Sequence, residues 1–236
     1  MTPALHSAVH PIPGATAGLP SDRRIDGARC VVGATSAILD RIVEPGVELA
    51  IWNRSMPAAV GARLDRATVR ARTLPALRTT VPASVPEAPL AAALADLKDR
   101  PLADALADDV AHLVRLVAHL IGRETLSVRL EAITGDACRR FHADRIPFRL
   151  IVTYRGPGTE WVDEAALPPG GDPRHPPMEA VRRVPAGAVA LFKGSLGSDR
   201  PLLHRSPPIT GTGAARLLLC IDEGLPAPGS SSGDTP

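Results

Sequence analysis

In IGRETLSVRLEAI, residues 121–133, the hydrophobic period changes within a few residues. Upstream, Leu102, Leu106, Val110, Leu113, Val117, Leu120 and Ile121 recur at helical spacing, which predicts one helix over 101–121 with a single apolar face. Gly122 stands where a left-handed glycine ends such a helix. Downstream, Leu126, Val128, Leu130 and Ala132 alternate with polar residues, the period of a strand that buries one face.

Reading on from that junction, PFRLIVTY, AVALFKG, PLLHRS and ARLLLCID follow as short strand-like runs separated by loops rich in Pro and Gly. Such spacing predicts an antiparallel sandwich or a small barrel of the jelly-roll type. Reading back, VELAIW (47–52) and ALRTTVPA (76–83) are short strands, and the segment opening at Pro57 is a helix start, because proline fits the first turn. The expectation is an α+β protein with a mainly helical N-terminal region, residues 29–122, packed on a β domain, residues 123–225. Residues 1–28 and 226–236 are rich in Pro, Gly, Ala and Ser without period and read as tails.

Bulk composition narrows the function classes. The chain has 236 residues, 44% hydrophobic and 22% charged, and its apolar runs are too short and interrupted to span a bilayer. A net charge of +2 argues against nucleic acid as partner. Three scattered cysteines, Cys30, Cys138 and Cys220, make no disulfide framework and no CxxC pair, and the N-terminus lacks the pattern of a secretory signal, so a reducing, cytoplasmic setting is expected.

The chemistry-bearing stretch is CRRFHADRIPFRLIVTYRGPGTEW, residues 138–161. On an extended chain, residues i and i+2 project to one side, roughly 6–7 Å apart at Cα. His142 and Asp144 can therefore converge on one ion. A His-x-Asp pair arises often by chance and needs context, which His204 supplies: it lies in PLLHRS on a strand face shared with Leu202. Two histidines and one carboxylate from separate strands would occupy one face of an octahedral ion and leave three positions open, the arrangement associated with non-haem Fe(II). Twelve residues past His204, Arg216 could hold the carboxylate of an organic acid through a bidentate contact.

This order of elements resembles the 2-oxoglutarate and Fe(II) dependent oxygenases over about residues 124–222. The resemblance implies that His142, Asp144 and His204 hold the metal, Arg216 binds the oxoacid cosubstrate, and Tyr154 offers it a hydroxyl. It implies a double-stranded β-helix for the C-terminal half and a small molecule or a protein as substrate. The stretch from CRRFHAD through TYRGPGTEW to ALFKGS and LLHRSPP also resembles a bacterial family catalogued as domain of unknown function 1826, over most of the chain after residue 30.

Other readings of the same residues stay open. Cys138, His142, Asp144 and His204 could form a four-coordinate zinc site in a non-catalytic protein of metal homeostasis, or the scaffold could bind a partner without metal. YRGPGTEW matches no phosphate-binding loop, and Pro157-Gly158 suits a tight turn. Trp161 and His175 are candidates for the rim of a pocket. No GxSxG motif is present, and Ser195 lacks the strand-to-helix setting of a serine nucleophile. His112 and His119 lie off the apolar stripe of the long helix and read as solvated.

Overall fold

The computed structural model describes residues 23–24, 29–66 and 76–223. The change of period at Gly122 is a change of element. Helix α3, defined here as Arg100–Ile121, ends at Gly122, whose φ of 65° is left-handed and needs no Cβ. Its start is capped by Asp99, whose side chain accepts from the Leu102 N–H at 3.1 Å, with Pro101 in the first turn where a missing N–H costs nothing. Leu102, Leu106, Val110, Leu113 and Val117 are buried as the stripe predicts, each burial worth about 2 kcal/mol, while His112 and His119 are exposed.

The other elements follow in chain order. They are β1 (Arg23–Arg24), β2 (Cys30–Gly33), β3 (Leu49–Trp52), α1 (Ala58–Arg66), β4 (Leu77–Pro82), α2 (Glu87–Ala93), β5 (Thr125–Ile133), β6 (Phe148–Arg155), β7 (Glu160–Val162), β8 (Arg182–Arg183), β9 (Val189–Lys193), β10 (Leu203–Arg205) and β11 (Arg216–Asp222). Eight strands form one sheet in the order β1-β2-β3-β9-β6-β11-β5-β4, and three form a second in the order β10-β7-β8. Neighbours in both are antiparallel except β2 and β3.

Because side chains alternate across a strand, the large sheet has two distinct faces. Leu126, Val128 and Leu130 of β5, Leu150, Val152 and Tyr154 of β6, Val189 and Leu191 of β9, and Leu217, Leu219 and Ile221 of β11 pack against the helices in the main core. Ile151, Ala190, Phe192, Leu218 and Cys220 face the other way and pack on Trp161, Val184 and Leu202 from the small sheet and its flanks. The architecture is a mixed α/β stack of helices, large sheet and small sheet.

Residues 29–122 contain α1, α2 and α3 together with strands that enter the same sheet as residues 123–225. Strand β3 pairs with β9 (Leu49↔Phe192 through Trp52↔Val189), and β4 pairs with β5 along its length. The physical reason is that β9 and β5 each have one hydrogen-bonding edge left after pairing with β6 and β11, and an apolar strand satisfies it. The tail expected at 226–236 lies outside the described residues, as does that at 1–28 apart from Arg23–Arg24. Among the described residues no helix is long and apolar enough to cross a membrane.

Candidate metal centre

His204 lies at the centre of β10, with Trp161 of β7 opposite on one side and His142 on the other. The two histidines exchange backbone hydrogen bonds, His142 N–H to His204 O at 3.0 Å and His204 N–H to His142 O at 2.9 Å. This narrow pairing holds segments 62 residues apart in register and puts the imidazoles on one side, ring centres 4.8 Å apart. Asp144, two residues on, comes to the same place, as the extended spacing predicts.

The donor atoms of His142, Asp144 and His204 all lie within 4.8 Å of one another. Nε2 of His204 is 3.2 Å from Asp144 Oδ2 and Nε2 of His142 is 3.6 Å from Asp144 Oδ1. Two ligands bound at about 2.1 Å and at right angles stand about 3 Å apart, so these separations suit a common cation. Nδ1–H of His142 donates to Arg140 O at 2.9 Å, which leaves the Nε2 lone pair directed at the cluster. Asp144 Oδ2 and His204 Nδ1 are buried and make no hydrogen bond among the described residues, the contacts of Oδ2 with His204 and Arg149 being ion pairs by distance alone. A cation would take up the carboxylate lone pair; nothing among the described residues accounts for His204 Nδ1.

The electrostatics fit a cation site. Burial would raise the Asp144 carboxyl, but the imidazoles of His142 and His204 and the guanidinium of Arg149 outweigh it and hold the group well below the usual carboxylate range. The Asp144 carboxylate raises His142, with burial opposing. Burial lowers His204, against the pull of Asp144, so its imidazole is neutral at physiological pH and free to act as a ligand.

Segment 144–147 is held from behind by the turn after β9. Ser195 N–H donates to Asp144 O at 2.8 Å, and Gly194 N–H to Pro147 O at 2.8 Å. A Cβ at Gly194 would collide with the carbonyls of Asp144 and Ile146, so only glycine lets the turn come this close. Ser195 is thus a clamp on the backbone of Asp144.

Arg216, first residue of β11, is fully buried on the face of the large sheet that looks at the small sheet. Its Nε donates to Pro157 O at 2.7 Å, Nη1 to Ser206 Oγ at 2.8 Å, and Nη2 to Thr159 Oγ1 at 3.2 Å and Thr153 Oγ1 at 3.4 Å. All four acceptors are uncharged. Glu160, which acts on it through space, is bonded to Arg183 and Arg205. Burial brings the guanidinium down to about 10, still protonated at neutral pH. A buried cation ringed by three hydroxyls suits an organic carboxylate. Ser206, two residues after His204, ties this cluster to the histidine strand.

The remaining candidates lie elsewhere. Tyr154 is on the helix-covered face, where its hydroxyl donates to Asp109 Oδ2 of α3 at 2.5 Å, and Asp109 is paired with Arg54 at 2.6 Å. The structure does not bring it to the histidines or to Arg216. Cys138 is exposed, with a left-handed φ of 45°, and is not among the clustered donors. Trp161 is buried in the core between the sheets rather than at a rim, and His175 sits on an exposed loop, bonded to Asp172 at 2.8 Å.

Residues beyond the expected set take part. Arg149 of β6 reaches Asp144 Oδ2 at 2.8 Å and is bonded to Asp222 of β11, and Phe192 of β9 packs its ring 4.9 Å from that of His204. The signal for both charged residues was present: an arginine and an aspartate inside otherwise apolar strands are costly to bury unless paired. Their pairing follows from the register Arg149↔Asp222, which neither segment reveals alone.

Several solved structures are similar. The rice dioxygenase for auxin oxidation aligns at 14% identity over 82% of this chain and 78% of its own, with a TM-score of 0.49. The Arabidopsis thaliana dioxygenase for auxin oxidation 1, in its complex with 2-oxoglutarate, aligns at 12% identity over 83% and 92%, with a TM-score of 0.40. A Pseudomonas putida prolyl-4-hydroxylase aligns at 15% identity over 79% and 96%, with a TM-score of 0.39. No curated protein matches the chain. The model of the family described as protein of unknown function DUF1826 matches residues 33–222, four-fifths of the sequence, and the chain belongs to that family.

Proposed function

We propose that this protein is a mononuclear Fe(II) and 2-oxoglutarate dependent oxygenase acting on a substrate yet to be identified. The observation that carries the reading is the convergence of His142, Asp144 and His204, two imidazoles and one carboxylate with donor atoms within 4.8 Å, in a setting that keeps the carboxylate ionised and His204 neutral. Three protein ligands of this kind leave open positions on an octahedral ion. The strand order also supports a double-stranded β-helix. β9-β6-β11-β5 form one layer, and the His142 bridge with β10-β7-β8 forms the other.

A bound ferrous ion would supply oxygen activation coupled to oxidation of the oxoacid. The chain's own groups do the rest. His142, Asp144 and His204 would hold the ion. Arg216, with Ser206, Thr153 and Thr159 around it, would anchor the far carboxylate of the oxoacid. Trp161, Leu202, Phe192 and Leu218 pack between the sheets as apolar surface, which would keep water from the reacting groups. The zinc alternative that draws on Cys138 loses its fourth ligand, because that thiol stands apart from the cluster.

The test is anaerobic reconstitution with Fe(II), followed by measurement of 2-oxoglutarate decay and oxygen uptake. About one Fe(II) per chain with coupled consumption of both supports the proposal. Arg216→Ala should weaken the oxoacid about 10- to 100-fold, the value of hydrogen bonds to a charged group, while leaving metal content unchanged. Stoichiometric metal without any oxoacid binding would overturn the enzyme reading.

A further inference from the structure

Arg149 joins the two layers of charge at the metal centre. Its strand, β6, is central in the large sheet, and it stands directly across from Asp222 on β11 and from Phe192 on β9. Nε and Nη2 donate to Asp222 Oδ2 at 2.9 and 2.7 Å. With two of its nitrogens fixed on one acceptor, the planar guanidinium has little freedom left, and its third nitrogen, Nη1, stands 2.8 Å from Asp144 Oδ2 as an ion pair without hydrogen-bond alignment. The arginine side chain is 19% exposed, Asp144 14% and Asp222 11%, so this chain of charges is largely shielded from water.

Asp144 has little else to hold its side chain. Its backbone carbonyl is bound by Ser195, but the carboxylate meets only imidazoles and Arg149 among the described residues. A carboxylate on a short side chain can rotate, and the charge of a clamped guanidinium 2.8 Å from one oxygen favours the orientation that keeps that oxygen beside it. Phe192, the cross-strand neighbour of Arg149, packs on His204, so adjacent positions on β6 and β9 steady two of the three donors.

We infer that Arg149 is a positioning residue for the metal site, orienting the Asp144 carboxylate toward the two imidazoles, and that Asp222 acts through Arg149 by fixing its guanidinium. This rests on the metal-site reading above and adds to it two residues from the opposite sheet that never touch the ion. The two carboxylates share one cation, so Arg149 also offsets the charge that would otherwise repel Asp222 from Asp144 across the gap between strand and loop.

Full-length protein titrated with Co(II), whose visible absorption reports ligand geometry, tests this without turnover. Arg149→Gln should weaken Co(II) about 10- to 100-fold and change the absorption bands, as loss of a supporting contact to a metal ligand does. Arg149→Lys should fail to restore wild-type affinity, because one ammonium cannot bridge both carboxylates with fixed direction. Asp222→Asn should weaken Co(II) by a smaller factor, and the double variant should bind no worse than Arg149→Gln, since Asp222 acts only through the arginine. Folding is checked by circular dichroism, and if Arg149→Gln does not fold, Asp222→Asn with its altered spectrum carries the test. Wild-type affinity and spectrum in a folded Arg149→Gln, or additive losses in the double variant, would overturn the inference. Co(II) binding that survives His204→Ala would instead overturn the metal-site reading itself.

Discussion

The two faces of the large sheet are buried for different ends. Toward the helices, β5, β6, β9 and β11 offer Leu, Val and Ile, interrupted by the Tyr154–Asp109–Arg54 network, which ties the sheet to α3. Toward the small sheet, the same strands offer Arg149, Thr153, Arg216 and Asp222 among the apolar residues. Apolar contacts need no particular partner, so the first face can be assembled from any well-packed set. Buried charges need specific partners at fixed distances, so the second face is stable only in one arrangement. That requirement is what makes it precise enough to hold an ion.

The contrast can be broken by experiment. The largest expected effect is His204→Ala, which should abolish stoichiometric metal binding while thermal unfolding of the metal-free protein moves little; titration with Fe(II) or Co(II) and calorimetry check the two halves. Next, Leu130→Ala on the helix face should cost about 2–5 kcal/mol of stability by leaving a cavity, with metal affinity of the folded protein unchanged, as denaturant unfolding and metal titration would show. A loss of metal affinity there would mean that the two faces are not independent.

The smallest effect concerns pH. Asp144 is held below its ordinary value in the folded state, so the unfolded chain binds its proton first and the group's contribution to stability is present above about pH 4 and lost as pH falls through the folded value. Asp144→Asn should therefore flatten the acid limb of the stability profile of the metal-free protein. An unchanged limb would show that the imidazole and guanidinium contacts do not hold the carboxylate as described.

What could be read from the sequence was whatever is local. The stripe of α3, its glycine stop and the alternation in β5 are written in consecutive residues, and so is the i, i+2 relation of His142 and Asp144. Non-local pairing is not. That β3 lies beside β9, or that Arg149 faces Asp222, depends on register between segments about 140 and 70 residues apart, a relation set by the whole sheet. Tyr154 illustrates a different limit. In FRLIVTYR both faces of the strand are buried, so apolar alternation cannot tell which face meets the helices and which the site. Its shared parity with Leu150 and Val152 is visible, but the destination of that parity is not.

The central claim is that one cation sits among three side chains from two separate segments. Diffraction data collected at an absorption edge of the bound metal, from crystals grown anaerobically with Fe(II), address it most directly. The account predicts a single anomalous peak at about 2.0–2.3 Å from Nε2 of His142, Nε2 of His204 and one oxygen of Asp144. A metal-loaded crystal whose only strong peak lies away from these three residues would contradict it.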